Sequence, residues 1–386
     1  MESRLHSSPC RCWPLSTHYF IYFTLLGTIL PYLGLYLSSL EFTPAQIGEL
    51  MAVFMLTKII APNIWGMLAD RNGRPIFWVR IAALTATVLS FGLIVFQSYW
   101  SLFFTLLVFS FFWHASLPQF ESYTFKRLGT QKSRYGLIRL WGSIGFIVAV
   151  VALGAVFAQF SIEWLPWVVS SLLLLVWLST YLVKDQAFAV AQNQLGEHFL
   201  HIVKRPEVLG LLVVSFLVQV SHGVYYSFFT IQMTELGVSK PIISWLWALG
   251  VIAEIGIFLV MARLFQWFSV RHLILLAIAL TVVRWLMTGQ LADSMVWIIL
   301  AQLLHAASFG LFHGSAIYLI DQYFTGKHHG KGQALFAASS HGLGGAVGML
   351  SAGYAWQAGG AALSYGIMAV CAAIALLIAW KWVPKS

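Results

Sequence analysis

The number of long apolar runs limits what this chain can fold into. A helix that crosses a bilayer needs about 20 mostly apolar residues. Twelve runs of that kind follow one another, at 15–38, 44–68, 75–96, 99–125, 135–159, 163–183, 207–231, 241–262, 270–288, 293–320, 331–356 and 361–382. The breaks between them are charged or turn-like, among them Ser38-Ser39-Leu40-Glu41, Gly289-Gln290, Gly326-Lys327-His328-His329-Gly330 and Gly359-Gly360. The runs are continuous and do not alternate, which selects helices over barrel strands. Only 9% of the residues are charged, against about 25% in a soluble chain. So little charge cannot coat a surface in water, which excludes a soluble enzyme, a disordered chain and a nucleic-acid-binding domain. The expected fold is all-α and integral to a membrane, with twelve transmembrane helices.

The basic residues give that bundle a direction. With the N-terminus inside, Arg4, Arg11, Arg71, Arg74, Arg80, Lys126, Arg127, Lys132, Arg134, Lys184, Lys204, Arg205, Arg263, Arg271, Lys327, Lys331, Lys381 and Lys385 all fall on cytoplasmic segments. Lys240 alone falls in an outer loop, beside the acids Glu41, Glu163, Glu235 and Asp293. This asymmetry predicts a multi-pass protein with both termini cytoplasmic, and it accounts for the net charge of +9 without a nucleic-acid partner. The first run is too long for a signal-peptide core and no small-residue cleavage site follows it, so it reads as an uncleaved helix. The longest hydrophilic stretch, 184–206, includes Asp185, Gln192, Asn193, Gln194 and Glu197. It divides the chain into an N-terminal six-helix half (1–183), a cytoplasmic linker (184–206) and a C-terminal six-helix half (207–386). Two such pseudo-symmetric halves are a transporter layout.

After the second run the chain reads Gly66-Met67-Leu68-Ala69-Asp70-Arg71-Asn72-Gly73-Arg74-Pro75. Gly66 permits close helix approach, and Gly73 suits a tight turn. Asp70 could face the start of the eleventh helix, where the dipole favours an anion. Arg71 and Arg74 can pair with acids or lipid phosphates. The stretch resembles the signature between helices two and three of the major facilitator superfamily and lies where that superfamily carries it. Read without the resemblance, it is a basic turn. The corresponding loop after the eighth run, 262–271, keeps Arg263 and Arg271 but has neither the glycine nor the aspartate.

Ionisable residues inside the spans are few: Lys58, Glu121, Arg139, Glu254 and Arg284, with His222, His305, His313 and His341. A charge at the bilayer centre costs at least about 2.5–3.5 kcal/mol, so such residues pair or line a polar path. At about 1.5 Å per residue, Glu254 lies about 20 Å from the outer end of its helix and His305 about 18 Å. A Glu254, Arg284 and His305 cluster is therefore feasible, with a structural buried pair as the plainer reading. Lys58 can snorkel to the cytoplasm. Glu121 and Arg139 lie toward the cytoplasmic ends of their spans, where the plainer reading is a boundary salt bridge.

Five stretches carry a narrower resemblance: Tyr135-Gly136-Leu137-Ile138-Arg139-Leu140-Trp141-Gly142, Gln219-Val220-Ser221-His222-Gly223-Val224-Tyr225-Tyr226, Trp247-Ala248-Leu249-Gly250-Val251-Ile252-Ala253-Glu254, Val283-Arg284-Trp285, and Gln302-Leu303-Leu304-His305 running to Ser308. In order and nearly end to end, they resemble the phenylpropionate permease family of bacterial inner membranes and, more distantly, the lactose permease group. The resemblance implies a substrate site at Glu121 and Arg139 and aromatic lining from Trp141, Tyr225, Tyr226 and Trp247. It implies proton coupling through Glu254, Arg284 and His305. The proton-carrying glutamate that the lactose permease group has one turn after the histidine is Ser308 here, which leaves Glu254 as the first coupling candidate, Glu121 as the second and Asp321, about 24 Å along the helix from His305, as the third. The implied function is a monomeric, proton-coupled symporter in the bacterial inner membrane that carries a small organic solute, best an aromatic carboxylate such as 3-phenylpropionate. A sugar or nucleoside symporter of the same fold is the rival, and a polytopic membrane enzyme is the rival of another class. No cofactor is expected, since no nucleotide-binding loop occurs, and no metal, since Cys10 and Cys12 lack further ligands.

Overall fold

The computed structural model describes residues 12–188 and 197–384. Arg4, Cys10, Arg11, Gln192, Asn193, Gln194 and Lys385 lie outside the described residues, as does part of the expected linker. The membrane helices are α1 (Trp13–Ser39), α2 (Pro44–Asn72), α3 (Pro75–Val95), α4 (Tyr99–Leu128), α5 (Tyr135–Gln159), α6 (Ile162–Leu182), α7 (Pro206–Glu235), α8 (Lys240–Trp267), α9 (Val270–Gln290) and α10 (Met295–Tyr323). The last helical stretch, His329–Trp382, has 54 residues, more than twice what one crossing needs. It breaks at the glycine pair marked by the sequence. Gly360 takes φ 61 and ψ −155, a region essentially closed to side chains. The chain then turns back, and Ser364 Oγ reaches the Ala352 carbonyl at 3.3 Å. Residues 329–358 form α11 and 361–382 form α12, so the described residues hold the twelve expected helices and no strand.

Local chemistry sets the helix ends. At the start of α2 the Gln46 backbone N–H donates to Thr43 Oγ1 at 3.3 Å, and Gln46 Oε1 accepts from the Thr43 N–H at 3.0 Å. This is a reciprocal cap, with Pro44 in the first turn. The same helix ends at Gly73, which has φ 65.

The helices pack in two groups. In the first, α1 lies on α5 and α6, α2 on α4, and α3 on α4 and α6; in the second, α7 lies on α11 and α12, α8 on α10, and α9 on α10 and α12. One end of the bundle carries Arg71, Arg74, Lys126, Arg127 and Arg271, and forms a basic face. There Arg74 pairs with Asp185, the Phe188 N–H donates to the Gly73 carbonyl at 2.8 Å, and Tyr123 donates to the Lys184 carbonyl at 2.8 Å. The start of the linker is thus strapped across the loop between α2 and α3.

The ties between the two groups gather at the opposite face. Lys240 Nζ at the start of α8 donates to the Phe157 carbonyl of α5 at 2.7 Å. The Ala45 N–H of α2 donates to Gln357 Oε1 of α11 at 3.2 Å. Glu49 accepts from Tyr354 of α11 at 2.5 Å through one oxygen and from Tyr99 of α4 at 2.6 Å through the other. Between these bonds the backbones touch: a Cβ on Gly48 would lie 2.7 Å from the Gly353 Cα. Lipid offers no hydrophobic force between helices, so such backbone contact and hydrogen bonding must hold them together. The packing leans the same way. α1 meets residues 223–235 of α7, and α2 meets residues 338–358 of α11, in each case the part of the helix farther from the basic face.

Glu49 is the one side chain here that joins α2, α4 and α11, so Glu49→Ala should loosen this face. In a background with the native cysteines replaced by serine, a Gln357→Cys reporter should react with an impermeant thiol reagent several-fold faster when Glu49→Ala is added. An unchanged rate would mean that Glu49 does not hold the face shut.

Candidate functional site

Arg284 of α9 is wholly buried, at 0% exposure, and the protein must satisfy it from within. Its Nε donates to the Ala301 carbonyl at 3.0 Å, and its Nη1 donates to Ser308 Oγ at 2.8 Å. The guanidinium lies 4.4 Å from the Tyr225 ring centre and 4.6 Å from that of Trp285, within cation–π range of both. Nη1 also meets His305 Nδ1 at 2.9 Å. A guanidinium only donates, so Nδ1 accepts and the proton of a neutral His305 sits on Nε2. That nitrogen faces Glu254 Oε2 at 3.5 Å. The structure therefore brings the expected trio together in a definite order, with His305 between the carboxylate and the guanidinium. Ser308 holds Arg284 as an acceptor. His305 and Ser308 lie at the beginning of a π-helical turn, Ala306–Leu311, an irregularity frequent at functional sites.

The aromatic residues divide. Tyr225 donates to Gln302 Oε1 at 2.9 Å, and its ring lies 4.4 Å from Trp247, whose indole N–H donates to Thr230 Oγ1 at 3.0 Å. Both are buried and already bonded. Tyr226 lies parallel to Trp247 at 6.4 Å and keeps some exposed surface. Trp141 shares an exposed apolar stripe of α5 with Leu137 and Val148. At 100° per residue that stripe is on the opposite side of the helix from Arg139, so Trp141 is not gathered with the other five aromatic and charged groups expected beside it.

Glu121 and Arg139 do meet, with Arg139 Nε 3.8 Å from Glu121 Oε1. Tyr135 donates to the same oxygen at 3.3 Å. The Arg139 guanidinium lies 3.9 Å from the centre of the Phe23 ring of α1. Each member of the pair is about one third exposed. Arg139 also lies close enough to Glu254 of the other group to act on its charge, as does His313, so the two polar clusters face one another. Phe309 lies between His305 and His313, parallel to both at 5.5 and 5.6 Å, with His341 edge-on at 6.2 Å.

The loop motif divides as well. Gly66 faces Gln119 of α4, and Gly73 and Arg74 hold the linker strap. Arg71 is exposed. Asp70 makes no hydrogen bond or ion pair among the described residues, and α2 leans on α11 only from residue 338 onward. The expected contact of Asp70 with the start of α11 is not made in this conformation. Three residues take parts that the sequence reading did not assign to them: Glu49 with its two tyrosines, Gln302 as the acceptor of Tyr225, and Asp185 as the partner of Arg74. Each is a polar residue beside an apolar run, which was the available signal. Among the described residues no group of three or more His, Cys, Asp or Glu side chains is placed to hold a metal ion.

The family model described as the MFS_1 like family matches residues 12–367. A "Probable 3-phenylpropionic acid transporter" of Escherichia coli (strain K12) is 26% identical over 375 residues, covering 94% of both chains. A maltose permease of Geobacillus stearothermophilus is also 26% identical, over 378 residues, covering 94% of this chain and 93% of its own. Among solved structures, the nucleoside transporter NupG superposes with a TM-score of 0.81 at 17% identity, covering 96% of this chain and 98% of that one. A bacterial homologue of the human lysosomal transporter Spinster, solved inward-facing and unoccupied, gives a TM-score of 0.75 at 13% identity, covering 96% and 97%.

Arg284→Lys tests the buried cluster. A lysine keeps the charge but cannot reach Ala301, His305 and Ser308 together. The stranded charge should cost about 3 kcal/mol, read as a clear fall in the Tm of detergent-purified protein. An unchanged Tm would mean that these bonds contribute little to stability.

Proposed function

The chain belongs to the MFS_1 like family, a family of membrane transporters and not enzymes, and on that premise we propose that it is a proton-coupled symporter of an aromatic carboxylate such as 3-phenylpropionate, working by alternating access. The observation that carries the coupling is the ordered contact of Glu254, His305 and Arg284. A deprotonated Glu254 faces the Nε2–H of His305 at 3.5 Å, and the other ring nitrogen of His305 is held by a permanent cation. Protonation of Glu254 removes the charge that this arrangement stabilises and frees the acid side chain to reorient. The coupling acid and the substrate pair, Glu121 with Arg139, face each other from opposite groups, so occupancy of one is felt at the other. Tyr226 completes the lining, with Tyr225 and Trp247 packed behind it. Trp141 has no part in this reading.

The basic face is taken as cytoplasmic, both termini included, in a bacterial inner membrane, with the protein acting as a monomer and the chain divided at 184–206. The closed face is then external and the conformation inward-facing. Asp70 is idle in this state and meets the α11 dipole when the cytoplasmic face closes. The rival reading, a sugar or nucleoside symporter, draws on the Glu121 carboxylate, which can accept hydroxyl hydrogens, and on the maltose permease relative. A thermal-shift panel of aromatic acids, sugars and nucleosides decides between them. Stabilisation by the acids alone supports the proposal, and stabilisation by sugars or nucleosides alone replaces it.

Glu254→Gln is close in shape and permanently neutral. In proteoliposomes it should abolish accumulation driven by an imposed pH gradient and leave substrate exchange intact. If the variant still accumulates substrate in response to the gradient, Glu254 is not the coupling acid and Glu121 becomes the candidate.

A further inference from the structure

Of the span residues Lys58, Glu121, Arg139, Glu254 and Arg284, four are matched among the described residues. Arg139 has Glu121, and Arg284 is linked through His305 to Glu254. Lys58 has no such match. It makes no hydrogen bond or ion pair among the described residues, and no carboxylate lies near enough to act on its charge. Snorkelling does not explain it. Lys58 is 14 residues before Asn72, the end of α2, which puts it about 21 Å from the basic face, several times the length of its side chain. An unmatched charge at this depth marks a functional site.

We propose that Lys58 receives the anionic group of the substrate. Its position supports this. Lys58 is on the part of α2 that approaches the other group: a Cβ on Gly342 of α11 would lie 3.3 Å from the backbone nitrogen of the next residue, Ile59. His114 of α4 and His341 of α11 both feel its charge, so it stands between the two groups of helices. His114 Nδ1 is bonded to Thr57 Oγ1 at 2.8 Å, and its Nε2 is buried without a partner. One turn before Lys58, Phe54 lies 5.5 Å from Trp113 and 4.9 Å from His114, and the Trp113 indole N–H is likewise buried and unpartnered. Phe54, Trp113 and His114 are buried, and Lys58 keeps some exposed surface in front of them; a reachable cation backed by an aromatic wall fits a ring bearing a carboxylate.

The other arginines fit less well. An anion brought to Arg139 would lie against the Glu121 carboxylate. Arg284 is wholly buried and held through Nε and Nη1, with Nη2 alone left without a partner and no exposed surface for a ligand to reach. An anion at Lys58 balances the one uncompensated charge where α2 meets α11, and this lowers the cost of shutting that region from water when the cytoplasmic face closes. With a proton on Glu254, the cargo is a monoanion plus a proton, and its transport is electrically neutral.

This inference rests on the aromatic-carboxylate reading, and the experiment separates their failures. Binding of 3-phenylpropionate and of its neutral amide, 3-phenylpropanamide, is measured by calorimetry on purified wild type, Lys58→Gln, Lys58→Arg and Arg139→Gln, each checked for folding by its Tm. Wild type should prefer the acid. Lys58→Gln should weaken the acid about tenfold or more and leave the amide unchanged, so that the preference disappears, whereas Lys58→Arg should keep it. Arg139→Gln should weaken acid and amide alike. If Lys58→Gln keeps the wild-type preference for the acid, or if the preference is lost only in Arg139→Gln, the assignment of Lys58 is overturned and the substrate reading stands. If wild type binds neither compound, or binds the amide as well as the acid, the aromatic-carboxylate reading fails and the assignment falls with it. Should Lys58→Gln not fold, a loss of the preference in a folded Lys58→Arg variant would equally overturn the proposal.

Discussion

A guanidinium at the middle of a membrane bundle cannot be solvated by water, and the C-terminal half is arranged around that fact. Arg284 takes its partners from two helices at once: a backbone carbonyl, a histidine nitrogen and a hydroxyl from α10, and ring faces from α7 and from its own neighbour on α9. Each contact fixes something else. Tyr225 is tied onward to Gln302, and Trp285 donates to Ser221 at 3.1 Å, so α7, α9 and α10 are pinned at one depth. His305 is fixed in one tautomer, and only that tautomer presents an N–H to Glu254. The order of Glu254, His305 and Arg284 thus follows from burying one arginine.

The contacts between the groups are of a different kind. They are few, they sit at one face, and several use single hydrogen bonds from side chains at helix ends, such as Lys240 to Phe157 and Tyr354 to Glu49. Contacts of this sort can be exchanged for others without disturbing the packing within each group, where long helices lie along one another. A carrier that alternates needs this division: strong packing within each half, and separable ties between them.

Much of the fold was legible because a bilayer leaves so few choices. Apolar length alone marked the spans, and Gly359-Gly360 marked the turn between α11 and α12 within 54 residues of nearly continuous helix. The Glu254, Arg284 and His305 cluster was legible from depth, since residues at one level on neighbouring helices can meet. The order within the cluster was not, because depth says nothing about which side chain stands between the other two. Trp141 shows another limit. The resemblance put it beside Arg139, but two residues along a helix is a turn of about 200°, and the aromatic ring faces away. Asp70 illustrates the third. In the proposed cycle its partner depends on which face of the bundle is closed, and a sequence describes every state of the cycle at once.

Placing a histidine between Glu254 and Arg284 has an energetic consequence. A direct carboxylate–guanidinium pair buried at this depth would be hard to break, since separating it strands a charge at a cost of about 3–5 kcal/mol. A carrier whose acid must lose and regain its charge in every cycle is poorly served by such a pair. With His305 in between, Arg284 makes its bonds to Ala301, His305 and Ser308 without touching Glu254, and the acid faces one polarised N–H at 3.5 Å. Ser308 contributes to the same end. An acid at that position would contact Arg284 directly and compete with His305 for it, whereas a hydroxyl accepts its bond without adding charge. The serine and the interposed histidine thus leave Glu254 as the carboxylate of the cluster, with no direct bond to Arg284, as the proposed coupling requires.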